Sequence, residues 1–216
     1  MKYKAVVFDL DGTLANSLED LKNAVNYGIK KLGFYEPTVE EYRLFVGNGT
    51  EKMIERALKE NATKENIEKV KQDYLEYYGK HFADYTKAYE GMPELIQKLH
   101  KNGIKIAVVT NKVNSMASTV VTKLYGNYFD IIEGQRDGIP AKPDPTLTLM
   151  VMEKLGVKPN ECAFVGDSGV DIKTGKNSGA APIGVLWGFR EKEELILNGA
   201  KYIAKTAKEL EELLLD

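Results

Sequence analysis

The chain has 216 residues, 43% of them hydrophobic and 29% charged, so it is long enough for one α/β domain with an insertion and too short for two large domains. Its 30 basic and 32 acidic residues leave a formal net charge of −2, which excludes a global basic field that would attract nucleic acid or anionic lipid. The single cysteine, Cys162, excludes an internal disulfide, and no apolar stretch approaches the ~20 residues that a membrane helix needs.

Along most of the chain, short apolar runs alternate with helix-length amphipathic segments, which predicts parallel strands joined by crossover helices. The predicted strands are 4–9, 104–110, 128–132, 162–166, 182–186 and 202–204, and the predicted helices between them are 93–101, 113–124, 145–155 and 170–178. We therefore predict an α/β fold with a doubly wound parallel sheet.

The alternation breaks between residue 17 and about residue 84, where helical periodicity continues without a convincing strand. The first helix of this segment is predicted to begin with a capping box formed by Ser17 and Asp20. Two apolar stripes predict packed helix faces, at Leu18, Leu21, Val25, Ile29 and Leu32 and at Ile67, Val70, Tyr74, Leu75 and Tyr78. We predict that residues 1–15 and 85–216 form the core and that residues 16–84 form an inserted helical cap, the name used below for that segment.

Two carboxylates follow the first predicted strand, in the sequence Asp9-Leu10-Asp11-Gly12-Thr13. Ligands bind at the carboxyl edge of an open α/β sheet, and residues i and i+2 leave a strand on the same side. Asp9 and Asp11 are therefore expected to converge on one reacting group, with Gly12 permitting a sharp turn. Because neighbouring carboxylates repel each other, they need a bound cation or a shared proton, and Mg²⁺ suits oxygen ligands.

A second acidic pair follows the predicted strand at 162–166, in the sequence Gly166-Asp167-Ser168-Gly169-Val170-Asp171. Asp167 is the residue that could complete a metal site begun by Asp9. Asp171 lies one helical turn further on, where it could orient Asp167 or a catalytic lysine, bind metal through water, or simply cap its own helix.

Two other segments supply groups that suit an anion. Thr110 and Asn111 follow an apolar strand and precede a helix, so a hydroxyl group and exposed backbone N–H groups there can bind phosphate. Lys142 lies just before the helix that begins near Asp144, and its ammonium group could reach both a phosphate and a clustered carboxylate.

Together these residues supply a nucleophile, an acid/base, a cation-binding pair, a hydroxyl donor and a lysine, which is the set that phosphoryl transfer requires. Asp9 would attack phosphorus in line while Mg²⁺ and Lys142 screen the phosphate charge. Asp11 would protonate the departing alkoxide and then take a proton from the water that hydrolyses the phospho-aspartate.

These four motifs, in this order and with a helical segment inserted after the first, resemble the haloacid dehalogenase superfamily, specifically its phosphoglycolate phosphatase-like branch. The similarity covers nearly the whole chain. It implies that Asp9 is nucleophile and metal ligand, that Asp11 also ligates through its carbonyl group, and that Asp167 binds Mg²⁺. It further implies that Thr110 and Lys142 hold phosphate, and that Asp171 is a supporting acidic position.

The same resemblance implies that the cap is mobile, closes over the substrate and excludes water. Its substrate-facing segment would comprise Arg43 and Gly47-Asn48-Gly49. Arg43 could pair with a substrate carboxylate, although an arginine in a charged helical segment is often only a solvated residue. A small phosphorylated metabolite is the expected partner, and phosphoglycolate is the favoured one.

Other activities stay open at this stage. A β-phosphoglucomutase-like phosphomutase shares Asp9 and Asp11, and a pyrophosphatase would use the same chemistry. A dehalogenase would leave Asp11 without a role, whereas a receiver-like phospho-switch shares the residue types but is smaller and has no cap. We expect no nucleic-acid or membrane partner, a monomer or homodimer, and a cytoplasmic location, since the chain starts without a signal-like segment.

Overall fold

A computed structural model describes residues 2–215. In chain order the strands are β1 (Ala5–Phe8), β2 (Ala15–Asn16), β3 (Lys87–Ala88), β4 (Lys105–Val113), β5 (Ile131–Gln135), β6 (Cys162–Gly166), β7 (Ala181–Val185) and β8 (Tyr202–Ala204). The helices are α1 (Leu18–Lys31), α2 (Val39–Phe45), α3 (Thr50–Leu58), α4 (Lys64–His81), α5 (Met92–Lys101), α6 (Asn114–Tyr125), α7 (Thr146–Leu155), α8 (Gly169–Ser178), α9 (Lys192–Asn198) and α10 (Ala207–Leu215). Among these residues, no helix combines the length and the apolar character needed to cross a membrane.

Within residues 2–215, six strands form one parallel sheet in the order β5-β4-β1-β6-β7-β8. Successive residues of the central strand β1 face opposite sides, as the period of two in a strand requires. Val6 and Phe8 join a hydrophobic cluster with α5, α6 and α10, while Ala5 and Val7 join another with α7. Helices therefore cover both faces, and the predicted doubly wound α/β fold is confirmed.

The strand β5 begins three residues later than predicted, at Ile131 instead of residue 128. Asp130 explains this difference, because its carboxylate accepts from the backbone N–H of Ile106 at 2.8 Å and holds the start of the strand. The preceding aromatic residues face elsewhere: Tyr128 contacts His100, and Phe129 contacts Phe8 edge to face. Tertiary packing thus overrides the β propensity of these rings.

The two chain segments that join cap and core form a short antiparallel ribbon. Ala15 of β2 pairs with Ala88 of β3, and Asn16 pairs with Lys87. The ribbon lies beside the carboxyl end of β1, and the cap therefore emerges directly above the residues that follow this strand. Neither segment is among the strands predicted from the sequence.

Helices α1–α4 surround a hydrophobic cluster of their own. Leu21 and Ile29 of α1 pack there with Tyr74 and Tyr78 of α4, and Phe189 enters the cluster from the core. This separate cluster supports the predicted division into core and cap, whose boundaries stay a prediction. Leu75 departs from its predicted place on the buried stripe and is 40% exposed, because it is rotated by about 100° from Tyr74 on the helix.

The predicted capping box at the start of α1 is wrong. Neither side chain caps the helix. Ser17 instead donates its hydroxyl to Oδ1 of Asp11 at 2.5 Å. Asp20 accepts from the backbone N–H groups of Tyr85 and Thr86, which lie in the second of the two linkers that join cap and core. Both side chains are therefore used to connect the start of the cap to the core and to the returning chain.

Candidate active site

The polar residues predicted from sequence lie at the carboxyl ends of the three central strands. Phe8 of β1 pairs in register with Val108 of β4 and with Val165 of β6. The backbone N–H of Asp9 then donates to the carbonyl oxygen of Val165 at 2.9 Å, which continues the pairing by one residue. Asp9 and Asp167, which directly follow β1 and β6, consequently lie next to Thr110 of β4 at one edge of the sheet.

Three carboxylates meet at this edge. Asp9, Asp167 and Asp171 each offer an oxygen, and these oxygens lie within 4.8 Å of one another. The three residues are only 7%, 2% and 1% exposed, respectively. Buried carboxylates require partners, and Asp167 has two, the hydroxyl of Thr13 at 3.1 Å and the backbone N–H of Phe189 at 2.8 Å.

Lys142 connects two members of this acidic cluster. Its Nζ lies 2.8 Å from Oδ1 of Asp9 and 2.7 Å from Oδ1 of Asp171. The other oxygen of Asp171 accepts from the hydroxyl and the backbone N–H of Ser168, at 2.5 and 3.1 Å, in a reciprocal capping box at the start of α8. Asp171 thus both caps its helix and positions the lysine, two of the roles that the sequence left open.

Burial and mutual repulsion shift the pKa values of this cluster. Burial, with the neighbouring Asp171, raises the pKa of Asp9 to about 6, although Lys142 opposes the shift. Burial, Asp171 and Asp9 together raise the pKa of Asp167 to about 8. Burial favours a neutral Lys142, but the carboxylates of Asp171 and Asp9 outweigh it and raise the pKa of the lysine above its ordinary value. Without a bound cation, this shift favours the protonated form of the Asp167 carboxyl group.

The donor set of the cluster fits a hard divalent cation, because it consists of carboxylate oxygens that need positive charge to ionise together. Two glycines leave the space for this arrangement. A Cβ on Gly12, whose φ is +92°, would lie 2.4 Å from Oδ2 of Asp167, and one on Gly188 would lie 2.3 Å from Cβ of Asp167. Any side chain at either position would therefore displace Asp167.

The side chain of Asp11 points away from this cluster. Its Oδ1 accepts from Ser17, and Nζ of Lys112 lies 3.1 Å from each of its two oxygens. The carboxylate lines a cavity between core and cap that also exposes Asp9 and Thr110. The structure thus places Asp11 beside Asp9 without adding its carboxylate to the acidic cluster, and Ser17 and Lys112 engage that carboxylate instead.

Thr110 and Asn111 are both buried and both line this cavity. The amide group of Asn111 donates to the carbonyl oxygens of Gly47 and Lys142, at 3.0 and 3.1 Å, and accepts from the backbone N–H of Lys142 at 2.8 Å. Its side chain therefore positions the lysine and contacts the cap. The phosphate contact predicted for Asn111 stays a prediction.

The cap residues predicted to face the substrate divide into two groups. Gly47 and Gly49 line the cavity, whereas Asn48 is exposed. Arg43 is also exposed and does not line the cavity, since its guanidinium donates to the carbonyl oxygen of Gly188 at 3.4 Å. In this conformation the cavity has a volume of about 30 Å³, room for one or two water molecules, so a substrate requires the cap to open.

Sequence reasoning missed several residues of this site. Lys112 directly follows Thr110 and Asn111, the predicted phosphate-binding residues, and could have been noticed as a cation near the end of a strand. Gly188 and its neighbours are expected from the sequence to help set the substrate, but the pattern gives no sign that Phe189 contacts Asp167 or that Arg190 contacts the cap. Nothing in the sequence distinguished the hydroxyl of Ser17 as a partner of Asp11.

Comparisons with known proteins agree on one family. A sequence profile described as haloacid dehalogenase-like hydrolase matches residues 6–185. The chain is 33% identical over 191 residues to a protein named phosphoglycolate phosphatase from Aquifex aeolicus, which covers 86% of both chains. It is 32% identical over 219 residues to one of the same name from Vibrio parahaemolyticus, covering 97% of this chain and 95% of that one. A crystal structure from Lactobacillus delbrueckii subsp. bulgaricus superposes with a TM-score of 0.95 at 34% identity, covering 100% of this chain and 99% of the other.

Proposed function

The chain belongs to the haloacid dehalogenase-like hydrolase family, and we propose that it is a Mg²⁺-dependent phosphatase that hydrolyses a small phosphate monoester through a phospho-aspartate on Asp9. The contact of Lys142 with both Asp9 and Asp171, 2.8 and 2.7 Å long, is the observation that carries the proposal. Lys142 supplies a positive charge that can bind phosphate oxygens, and it contacts the proposed nucleophile. The acidic cluster beside it is suited to a metal ion. The family prediction made from the motifs is confirmed.

Asp9, Asp167 and the backbone carbonyl group of Asp11 would bind the ion. Asp171 would act indirectly, by positioning Lys142. When bound, Mg²⁺ supplies positive charge that lets neighbouring carboxylates and a phosphate occupy one site. Lys142 adds a second positive charge, and the hydroxyl of Thr110 adds a hydrogen-bond donor for a phosphate oxygen. These groups would orient the phosphorus atom toward Asp9.

In the first step a carboxylate oxygen of Asp9 forms a bond to phosphorus while the bond from phosphorus to the ester oxygen breaks. Asp11 gives its proton to that departing oxygen, so the alcohol leaves neutral. In the second step water attacks the phospho-aspartate, Asp11 takes one of its protons, and the bond between phosphorus and Asp9 breaks. Inorganic phosphate leaves, and both carboxyl groups return to their starting states.

Phosphoglycolate is the favoured substrate. The names of the most similar relatives support this choice. Inorganic pyrophosphate is the second candidate, because Lys112 offers a cation that could bind its second phosphate. The sequence-based expectation of a cytoplasmic enzyme, monomeric or homodimeric, accompanies this proposal.

Steady-state turnover of p-nitrophenyl phosphate with Mg²⁺ tests the chemistry. We expect many turnovers per protein molecule, loss of activity with a chelator, and a loss of roughly 10⁴-fold or more in the variant Asp9→Asn. Asp137→Asn is the matched control, since Asp137 is exposed and lies outside the site. A single labelling event without turnover would instead indicate a phospho-switch, and transfer of the phosphate to a sugar would indicate a phosphomutase.

A further inference from the structure

One cation lines the cavity directly and takes no part in the two phosphoryl-transfer steps described above. Lys112 lies near the end of β4, and its side chain is only 2% exposed. Its Nζ lies 3.1 Å from both oxygens of Asp11 and 4.6 Å from the centre of the Tyr78 ring, which belongs to α4 of the cap. The ammonium group therefore lies where core, cap and cavity meet.

These contacts engage the carboxylate of Asp11, the proposed acid/base. Asp11 binds Lys112 through both oxygens and Ser17 through one of them. Turning the carboxylate of Asp11 toward a leaving oxygen breaks at least one of the contacts with Lys112. A buried ammonium group needs another anionic or polar partner when that happens.

The rest of the cavity wall offers no competing cation among residues 2–215. Apart from Asp9 and Asp11, the groups that share the wall with Lys112 are uncharged: Leu21, Val46, Gly47, Gly49, Thr50, Met53, Tyr74, Thr110 and Asn111. Arg43, which the sequence suggested for binding a substrate carboxylate, contacts Gly188 instead. An anionic group of the substrate that points away from the acidic cluster would therefore meet Lys112.

We propose that Lys112 determines substrate specificity by binding a second anionic group of the substrate, a carboxylate or a second phosphate, and that this exchange of partners frees Asp11 for the leaving oxygen. The inference rests on the proposed phosphatase function and narrows its substrates to small phosphate compounds with an additional negative charge. Lys112 does not touch phosphorus, so it acts as a specificity and positioning residue.

A matched pair of esters tests the proposal. Phosphoglycolate and ethylene glycol monophosphate are similar in size and differ by a carboxylate against a neutral hydroxymethyl group. We expect Lys112→Gln to lower kcat/KM for phosphoglycolate by about 10- to 100-fold more than for the neutral ester, the effect of one charged hydrogen bond. Inorganic pyrophosphate, assayed in parallel, shows whether a second phosphate uses the same lysine.

Two further variants keep the outcome interpretable. Lys112→Arg retains the positive charge and is expected to retain the preference for the charged ester, whereas Lys101→Gln, on the exposed end of α5, should behave like the unchanged protein. Equal losses on both esters in Lys112→Gln, or an unchanged preference, would overturn the role of Lys112. Failure of the unchanged protein to turn over any phosphate ester would overturn the proposed function itself.

Discussion

The backbone N–H of Phe189 donates to Oδ2 of Asp167 at 2.8 Å, while the ring of the same residue packs in the hydrophobic cluster of the cap. The next residue, Arg190, donates to the carbonyl oxygens of Leu44 and Val46 at the end of α2. A three-residue segment of the core, beginning at Gly188, thus contacts the acidic cluster and the cap at once. This connection leads us to expect that cap closure and metal binding depend on each other.

The first prediction concerns Arg190, a residue of the core that donates hydrogen bonds to the cap. Arg190→Ala removes hydrogen bonds of 2.8 and 3.2 Å, and we expect it to favour the open cap by about 2 kcal/mol, roughly 30-fold in the equilibrium. Solution X-ray scattering should show a larger radius of gyration, and KM for a phosphate ester should rise.

Arg56 provides the matched control for this prediction. It donates to the carbonyl oxygens of Leu44 and Phe45, on the same turn of α2, but from α3 within the cap. Arg56→Ala should lower the stability of the cap without changing the radius of gyration of the folded protein. If both variants expand equally, the contacts of Arg190 are not what holds the cap closed.

The second prediction concerns Gly188, where an added side chain would collide with Asp167. In Gly188→Ala the new Cβ would lie 2.3 Å from Cβ of Asp167 and 2.4 Å from the carbonyl oxygen of Gly12, so Asp167 must move. We expect the affinity for Mg²⁺ to fall by about 10- to 100-fold, the usual effect of disturbing a group that orients a ligand. Isothermal titration with Mg²⁺ measures it.

Gly79→Ala is the control, because a Cβ at this exposed position of α4 meets nothing within 4 Å. It should leave Mg²⁺ affinity unchanged and stabilise the helix by up to about 1 kcal/mol. Equal Mg²⁺ affinities in the two variants would show that the space beside Asp167 is not needed for the ion.

The third prediction concerns Asp20, which joins the two linkers of the cap. Its carboxylate accepts from the backbone N–H groups of Tyr85 and Thr86 and from the hydroxyl of Thr86, with distances of 2.6 to 3.1 Å to Oδ2. Asp20→Ala leaves these donors without a partner, and we expect the free energy of unfolding to fall by about 3 kcal/mol in urea denaturation.

The neighbouring Glu19 supplies the comparison, since it forms a salt bridge with Lys22 on the surface of α1. Glu19→Ala should change the free energy of unfolding by less than about 0.5 kcal/mol. A similar small effect of Asp20→Ala would mean that the linkers are held by the β2–β3 ribbon alone.

Much of the fold followed from patterns that are local in sequence. The strand at Cys162–Gly166 has its predicted bounds, because a run of buried apolar residues between turns has few alternatives. The start of β5 could not be predicted, because it depends on Asp130 reaching Ile106 on another strand. Likewise, the capping box predicted for Ser17 failed because its hydroxyl group is directed toward Asp11, six residues earlier, which only the folded chain brings near.

The candidate site shows the same division. Residues that follow strands, such as Asp9 and Asp167, could be identified because parallel topology brings strand ends together. Lys112 and Arg190 could not be assigned a function from their positions alone. Their roles depend on which way a long side chain points across the boundary between core and cap, and this is fixed only when Tyr78 and Val46 of the cap are in place.

The last prediction concerns the pH dependence of stability. In the metal-free protein the pKa of Asp9 is about 6 and that of Asp167 about 8, both above the ordinary value of 3.8. Because the folded chain binds these two protons more tightly than the unfolded chain, their contribution to stability is fully present below pH 3.8 and is lost as pH rises through the two folded values. The metal-free protein should therefore lose this contribution between about pH 4 and pH 8.

Mg²⁺ should reverse this loss, since it binds the ionised carboxylates and competes with their protons. We expect the rise in Tm on adding saturating Mg²⁺, relative to a chelator, to be several degrees larger at about pH 8 than at about pH 5. Asp167→Asn removes the group with the higher pKa and should make the effect of Mg²⁺ smaller and less dependent on pH, whereas Asp137→Asn should not alter it. An effect of Mg²⁺ that is equal at both pH values in the unchanged protein would contradict ionisation of this cluster on metal binding.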